Sequence, residues 1–240
     1  MPRYAYDLHI HSCLSPCGDD EMTPPNIANM AFVKGLDLIA VTDHNSTRNV
    51  RAVMQAARGL PLTVIPGVEV TTAEEIHVVC LFPDADSAEA AGDALERLLP
   101  QVPNRPDYFG GQLVMDENEK RTGTVPWLLP NALALSIDAL PALVQSCGGI
   151  CFPAHIDRPS NSILSVFGVL PEQPAFPVLE VRDPERFFDG GQNERLRKEH
   201  RILTSSDAHR LGDIAEREHF LELPEPGFAG LKAALFAGGR

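Results

Sequence analysis

Short, nearly all-apolar runs alternate along this chain with stretches of helical periodicity, and most of those runs end in a polar residue. Tyr4–Ile10, Leu36–Thr42, Leu62–Ile65 with Val68–Val70, Ile76–Phe82, Gly149–Ala154, Val178–Val181 and Ile202–Ser205 read as strands. Between them, helices are expected from Thr23 to Gly35, over Arg51–Arg58, from a Ser87 cap to about Leu99, over Ile137–Ser146, over Asn193–His200 and over Ala229–Phe236. Thr23 is expected to cap the first of these with Pro24 and Pro25 in its first turn. Ile27, Met30, Ala31 and Val33 form its apolar stripe and Gly35 its terminus. Pro66-Gly67 is expected to interrupt the third strand. Strands apolar on both faces, separated by helices, imply a mostly parallel sheet covered by helices. Chemistry in such folds belongs at the carboxyl ends of the strands.

The chain has 240 residues, enough for one large core, and is read as a single domain over 1–240. Residues 101–135, rich in Pro, Gly, Asn and charge, read as an insertion or long loop packed against one face. Twenty basic and 33 acidic side chains leave a net charge of −13. That balance argues against stable binding of duplex nucleic acid or an anionic membrane, while bound cations would still let a small anion approach. No leader or membrane-spanning window is visible. The five cysteines, an odd number with some inside apolar runs, suggest reduced thiols in a cytoplasm.

The eight histidines decide what kind of chemistry to expect. Six of them, His9, His11, His44, His77, His155 and His209, lie in or just after expected strands. His9 and His11 stand two apart and share a face, so both reach one ion while Leu8 and Ile10 face the other layer. Asp207 and His209 repeat that spacing after the last strand. Glu69 sits in the apolar run Gly67-Val68-Glu69-Val70, where an ionised carboxylate is costly unless it is paired or holds a metal. Imidazole with carboxylate is a common ligand set for Zn, Mn or Fe. Singly, each histidine is as readily a hydrogen-bonded core residue. Six together with Glu69 and Asp207 point to a metal cluster.

His9-Ile10-His11, Thr42-Asp43-His44, Gly67-Val68-Glu69, Pro153-Ala154-His155 and Ser206-Asp207-Ala208-His209 resemble, in order, the motifs of the PHP (polymerase and histidinol phosphatase) superfamily. The resemblance implies a distorted (β/α)7-type barrel with two or three divalent ions at the carboxyl ends of its strands. By that resemblance His9, His11, Glu69 and Asp207 would hold one ion, and Glu69, His77 and His155 a second. His44 and His209 would hold a third, with a ligand from the loop after His11. Relatives often place Asp or His five or six positions after that histidine, where this chain has Pro16 and Cys17. Asp19 is the first choice for the loop ligand and Cys17 the second.

The chemistry implied is hydrolysis of a phosphate monoester or diester by a metal-activated water, with a small phosphorylated metabolite or nucleotide as the substrate. His155 or His209, where not bound to metal, would protonate the leaving oxygen. Arg158 either clamps a phosphate or is a solvated loop arginine. Asp43 either orients a ligand or caps the following helix. Two alternatives stay open. One is an exonuclease or oligonucleotide phosphoesterase, which the acidic balance disfavours. The other is a non-catalytic metal-binding module, which the full ligand set disfavours.

Overall fold

The computed structural model describes residues 1–236. Ten strands are present among these residues: β1 (Arg3–Ile10), β2 (Leu38–Val41), β3 (Thr63–Thr71), β4 (His77–Leu81), β5 (Leu113–Met115), β6 (Arg121–Thr124), β7 (Ile150–Pro153), β8 (Val178–Glu180), β9 (Arg201–Leu203) and β10 (Phe220–Glu222). The helices α1 (Pro24–Val33), α2 (Val50–Ala56) and α3 (Ala85–Glu96) follow the first strands. Six strands form a curled sheet in the order β10-β1-β2-β3-β4-β7, and β8 pairs with β9. Ile156 N donates to Glu180 O at 2.8 Å beyond β7. Past β9, Ala208 bridges to Ile10 and accepts from His11 N at 2.9 Å. The two links close β1, β2, β3, β4, β7, β8 and β9 into an irregular seven-stranded barrel.

One buried cluster receives side chains from all seven of these strands, among them Leu8, Leu38, Ile65, Val79, Phe152, Val178 and Leu203. Leu231 and Leu235, from the helix Phe228–Phe236, join the same cluster. Apolar side chains therefore fill the barrel interior and polar ones are left for its opposite end. Two further clusters pack helices against the outside of the strands.

Several local expectations are corrected. β3 runs unbroken through Pro66-Gly67: Val41 pairs with Pro66, and Phe82 N donates to Pro66 O at 2.9 Å. Gly67 is required there, because a Cβ would stand 2.8 Å from Thr42 Cγ2 and 2.9 Å from Leu81 Cδ2. β4 runs antiparallel to β3 and β7, since the link from Thr71 to His77 is too short for a crossover. The Thr23 hydroxyl donates to Glu119 Oε1 at 2.6 Å instead of capping α1. Val33 faces solvent and Ala28 takes its place on the buried side. Asp84, not Ser87, caps α3, accepting from Ser87 N at 2.8 Å. The register shifts between Asp7 and Ile10, so Leu8 and Ile10 enter different clusters instead of sharing a layer.

Residues 101–135 form a short helical turn, Pro106–Phe109, and the β5–β6 hairpin. Long-range bonds hold them. Leu113 N donates to Cys13 O at 2.9 Å, and Asn49 bonds both Leu113 O and Met115 N. Asn45 Nδ2 reaches Leu129 O at 2.7 Å. Among the described residues no helix is long and apolar enough to cross a membrane.

Candidate metal centre

The six histidines, Glu69 and Asp207 meet at one end of the barrel. His9 and His11 come from the end of β1, His44 follows β2, Glu69 lies in β3, His155 follows β7, and Asp207 and His209 follow β9. His77 opens β4. Because β4 runs against its neighbours, its first residue stands where theirs end. The turns that aim two of these side chains are strained, with positive φ at His155 (27°) and Asp207 (52°). Such backbone persists where surrounding contacts over-determine it. Around Asp207 that support comes from buried Asp7, which accepts from Ser206 N at 3.0 Å, Ser206 Oγ at 2.6 Å and Ala215 N at 2.9 Å.

Glu69 is the hub, and its two oxygens face different groups. Oε1 lies 3.2 Å from His9 Nε2, 2.9 Å from His77 Nδ1 and 3.1 Å from His155 Nε2. Oε2 lies 2.9 Å from His44 Nδ1 and 3.4 Å from His11 Nε2. Asp207 Oδ1 stands 3.5 Å from His9 Nε2 and 3.2 Å from His11 Nε2. Three sets of donor atoms lie within 4.8 Å of one another: His9, His11 and Glu69; His44, Glu69 and His77; His11, His44 and His209.

Hydrogen bonding leaves this cluster incomplete in a telling way. His44 Nδ1, His77 Nδ1, His155 Nδ1 and Glu69 Oε2 are buried and form no hydrogen bond, although three of them are in close contact. Orphaned buried donors and acceptors are costly. Nitrogen and oxygen lone pairs converging on shared space are what a divalent cation satisfies. The residues present therefore fit a resident cation cluster.

The outward nitrogens of the first two histidines are held from behind. His9 Nδ1 donates to Glu180 Oε1 at 2.9 Å, and Glu180 also accepts from His155 N at 3.0 Å. His11 Nδ1 pairs with Ser15 Oγ at 2.9 Å, and Ser15 Oγ donates to Asp43 Oδ1 at 2.7 Å. Both rings thus keep Nε2 for the cluster. Asp43 also accepts from Ser12 N at 2.7 Å and Ser12 Oγ at 2.6 Å, so it orients the loop after β1. Glu180 escaped the sequence reading. Its signal was there, a carboxylate at the end of the apolar run Val178-Leu179-Glu180-Val181, the same signature that singled out Glu69.

Electrostatics follow the packing. Burial opposes charge on Glu69, but His77, His9 and His44 outweigh it and hold its carboxyl well below the usual range. Burial likewise opposes protonation of His9, and Glu180, Glu69 and Asp207 reverse the sign, raising it well above the ordinary imidazole value. His11 moves the other way, lowered by burial and by His44.

The loop after β1 separates its two candidates. Asp19 is exposed and its Oδ1 accepts from Glu21 N at 3.0 Å, a bond within its own turn. The thiol of Cys17 sits at the rim beside His209 and His44. Partial burial of the thiol would raise it, but the neighbouring His209 and His44 rings bring it down to about 6. Arg158 NH1 reaches Asp207 Oδ2 at 2.7 Å, with Arg182 NH1 at 3.8 Å from the same oxygen.

The model of the family described as PHP domain matches residues 7–125. A 5′-3′ exoribonuclease of Salmonella typhimurium is 32% identical over 136 residues, which are 55% of this chain and 43% of that protein. The chain thus spans less than half the length of that curated relative. Among solved structures, a lesion-specific endonuclease from Pyrococcus furiosus superposes with a TM-score of 0.70 at 18% identity, over 99% of this chain and 57% of that one. A Bifidobacterium adolescentis protein assigned as a metal-dependent phosphoesterase gives 0.60 at 18% identity, over 100% of this chain and 98% of its own.

Proposed function

We propose that this chain of the PHP superfamily is a hydrolase that cleaves phosphate esters at the cluster around Glu69, using two or three resident cations of Zn, Mn or Fe. The observation that carries this is Glu69 itself, a buried carboxylate whose oxygens face two separate sets of histidines. His9, His11, Glu69 and Asp207 are assigned to one cation, and Glu69, His77 and His155 to a second. His44 and His209 are assigned to a third, with Cys17 in preference to Asp19 as the loop ligand. Bound cations supply such a reaction with Lewis acidity and an acidified water.

Of the three groups expected to act on substrate, His155 is buried against Glu69 and His209 lies beside the Cys17 thiol, so both are assigned to cations. Arg158, whose side chain is 39% exposed, keeps a face toward incoming phosphate while its NH1 holds Asp207. Two of the similar proteins are named for cutting nucleic acid. That leans against the small-metabolite substrate and against the expectation that duplex nucleic acid is not stably bound. A phosphodiester at a nucleic-acid end is accordingly placed ahead of a small metabolite. A cytoplasmic setting suits the free thiol of Cys17.

The test is reconstitution of chelator-stripped protein with Mn, Zn or Fe(II), followed by elemental analysis and turnover of bis(4-nitrophenyl) phosphate and a 5′-phosphorylated oligonucleotide. Stoichiometric binding with turnover supports the reading. Failure to retain metal, together with no hydrolysis of either ester, sinks it.

A further inference from the structure

Tyr108 and Phe109 are 74% and 40% exposed, although large rings left in water contribute little to folding. The two rings meet edge to face with centroids 4.7 Å apart, and the Arg105 guanidinium lies 5.5 Å from the centre of the Tyr108 ring. Their backbone is firmly placed. Gly110 N donates to Pro106 O at 3.0 Å, and Asn104 Nδ2 donates to Gly110 O at 3.0 Å. Gly110 has φ +101° and is seated so closely on Pro16 that a Cβ would stand 2.0 Å from Pro16 O. Pro16 follows Ser15, whose Oγ lies 2.9 Å from His11 Nδ1 and accepts from His44 N at 3.2 Å. The segment that carries the aromatic pair therefore packs on the loop that helps to build the metal cluster.

We propose that Tyr108 and Phe109 are a stacking platform for an unpaired nucleobase beside the phosphate being cleaved, so that the substrate is the end of a single strand. This rests on the phosphoesterase reading above. The arginine beside the rings supports a base as the occupant. A net charge of −13 gives the chain as a whole no electrostatic pull on a polyanionic strand. Affinity for a nucleic-acid end must then come from a few contacts, and an aromatic face flanked by an arginine is the sequence-tolerant way to hold a base. A base inside a duplex has both faces covered by its neighbours and would not reach the platform.

Trp127, the sole tryptophan, bridges to Pro103 in the same segment and serves as a fluorescent reporter. The probe is a 5′-phosphorylated, phosphorothioate-linked trinucleotide titrated into the metal-loaded protein. Tyr108→Ala should weaken its binding roughly tenfold, and Tyr108→Phe should bind nearly as wild type does. An abasic first residue should cost the wild type a similar factor and cost Tyr108→Ala almost nothing more. Equal losses in both proteins, or a Tyr108→Ala variant that binds like wild type, would overturn the platform. Turnover of bis(4-nitrophenyl) phosphate on the same samples separates the two readings. Turnover without trinucleotide binding overturns the platform and leaves the phosphoesterase. Tyr108-dependent binding without turnover of any ester does the reverse.

Discussion

Glu180 takes Nδ1 of His9 at 2.9 Å across a separation of 171 positions in sequence, and with its other bond it fixes the backbone of His155. One carboxylate thus sets two histidines that come from different strands. Glu180→Gln retains the shape and loses the charge that holds the His9 ring. Cation affinity should fall about 10- to 100-fold, read by competition with a chelating dye. A variant that binds metal as tightly as wild type would show that Glu180 is only a core residue.

Glu69→Gln should cost more. The amide cannot serve two cations with two anionic oxygens, and its NH2 would face the histidines that now surround Oε1 and Oε2. Metal content by elemental analysis should drop, and turnover should fall by about 100-fold or more, the scale of a lost electrostatic stabiliser. The far-UV circular dichroism should stay that of wild type. Normal metal content with normal turnover would rule out the bridging role.

Cys17 and Cys13 offer a contrast in one short loop. Burial pushes the Cys13 thiol up to about 12, whereas His209 and His44 bring that of the more exposed Cys17 to about 6. A depressed value means thiolate above that pH and thiol below it. Iodoacetamide should therefore label Cys17 of metal-free protein at neutral pH, with the rate falling as pH drops through about 6, while Cys13 stays unlabelled. Added Zn should protect Cys17. Cys17→Ser should lose cation that Asp19→Ala retains. The opposite pattern would return the ligand role to Asp19.

Arg158→Ala should raise KM for phosphate esters by roughly tenfold, and Arg158→Lys should recover only part of that loss, because a lysine lacks the planar fork. Steady-state kinetics on bis(4-nitrophenyl) phosphate give the split between KM and kcat. An unchanged KM would leave Arg158 with no task beyond holding Asp207.

The barrel strands and most of the cluster were legible because their signal is local. An apolar run that ends in His44 or His155, or encloses Glu69, declares a buried polar group wherever the fold places it. What escaped depends on partners distant in sequence. Glu180 carried the same signature as Glu69 but lacked a histidine motif beside it. The β5–β6 hairpin has short strands, Leu113–Met115 and Arg121–Thr124, without alternation, and its place is set by Asn49 and Cys13. The Thr23 hydroxyl was claimed by Glu119, 96 positions away. Asp19 and Cys17 are similarly placed in sequence, and neither carries a local signal that separates them.

The cluster draws on His9 near one end of the chain and on His209 near the other, so its completion is a matter of timing. During synthesis the first two histidines leave the ribosome about 200 residues before the last, at roughly 5–20 residues per second. Through that interval His9, His11, His44 and Glu69 are present without Asp207 and His209. The full set arises when the chain past β9 swings back onto Ile10. On the reading proposed for the cluster, tight capture of cations would wait for the barrel to close, and a chain stopped before Asp207 would lack part of the ligand set.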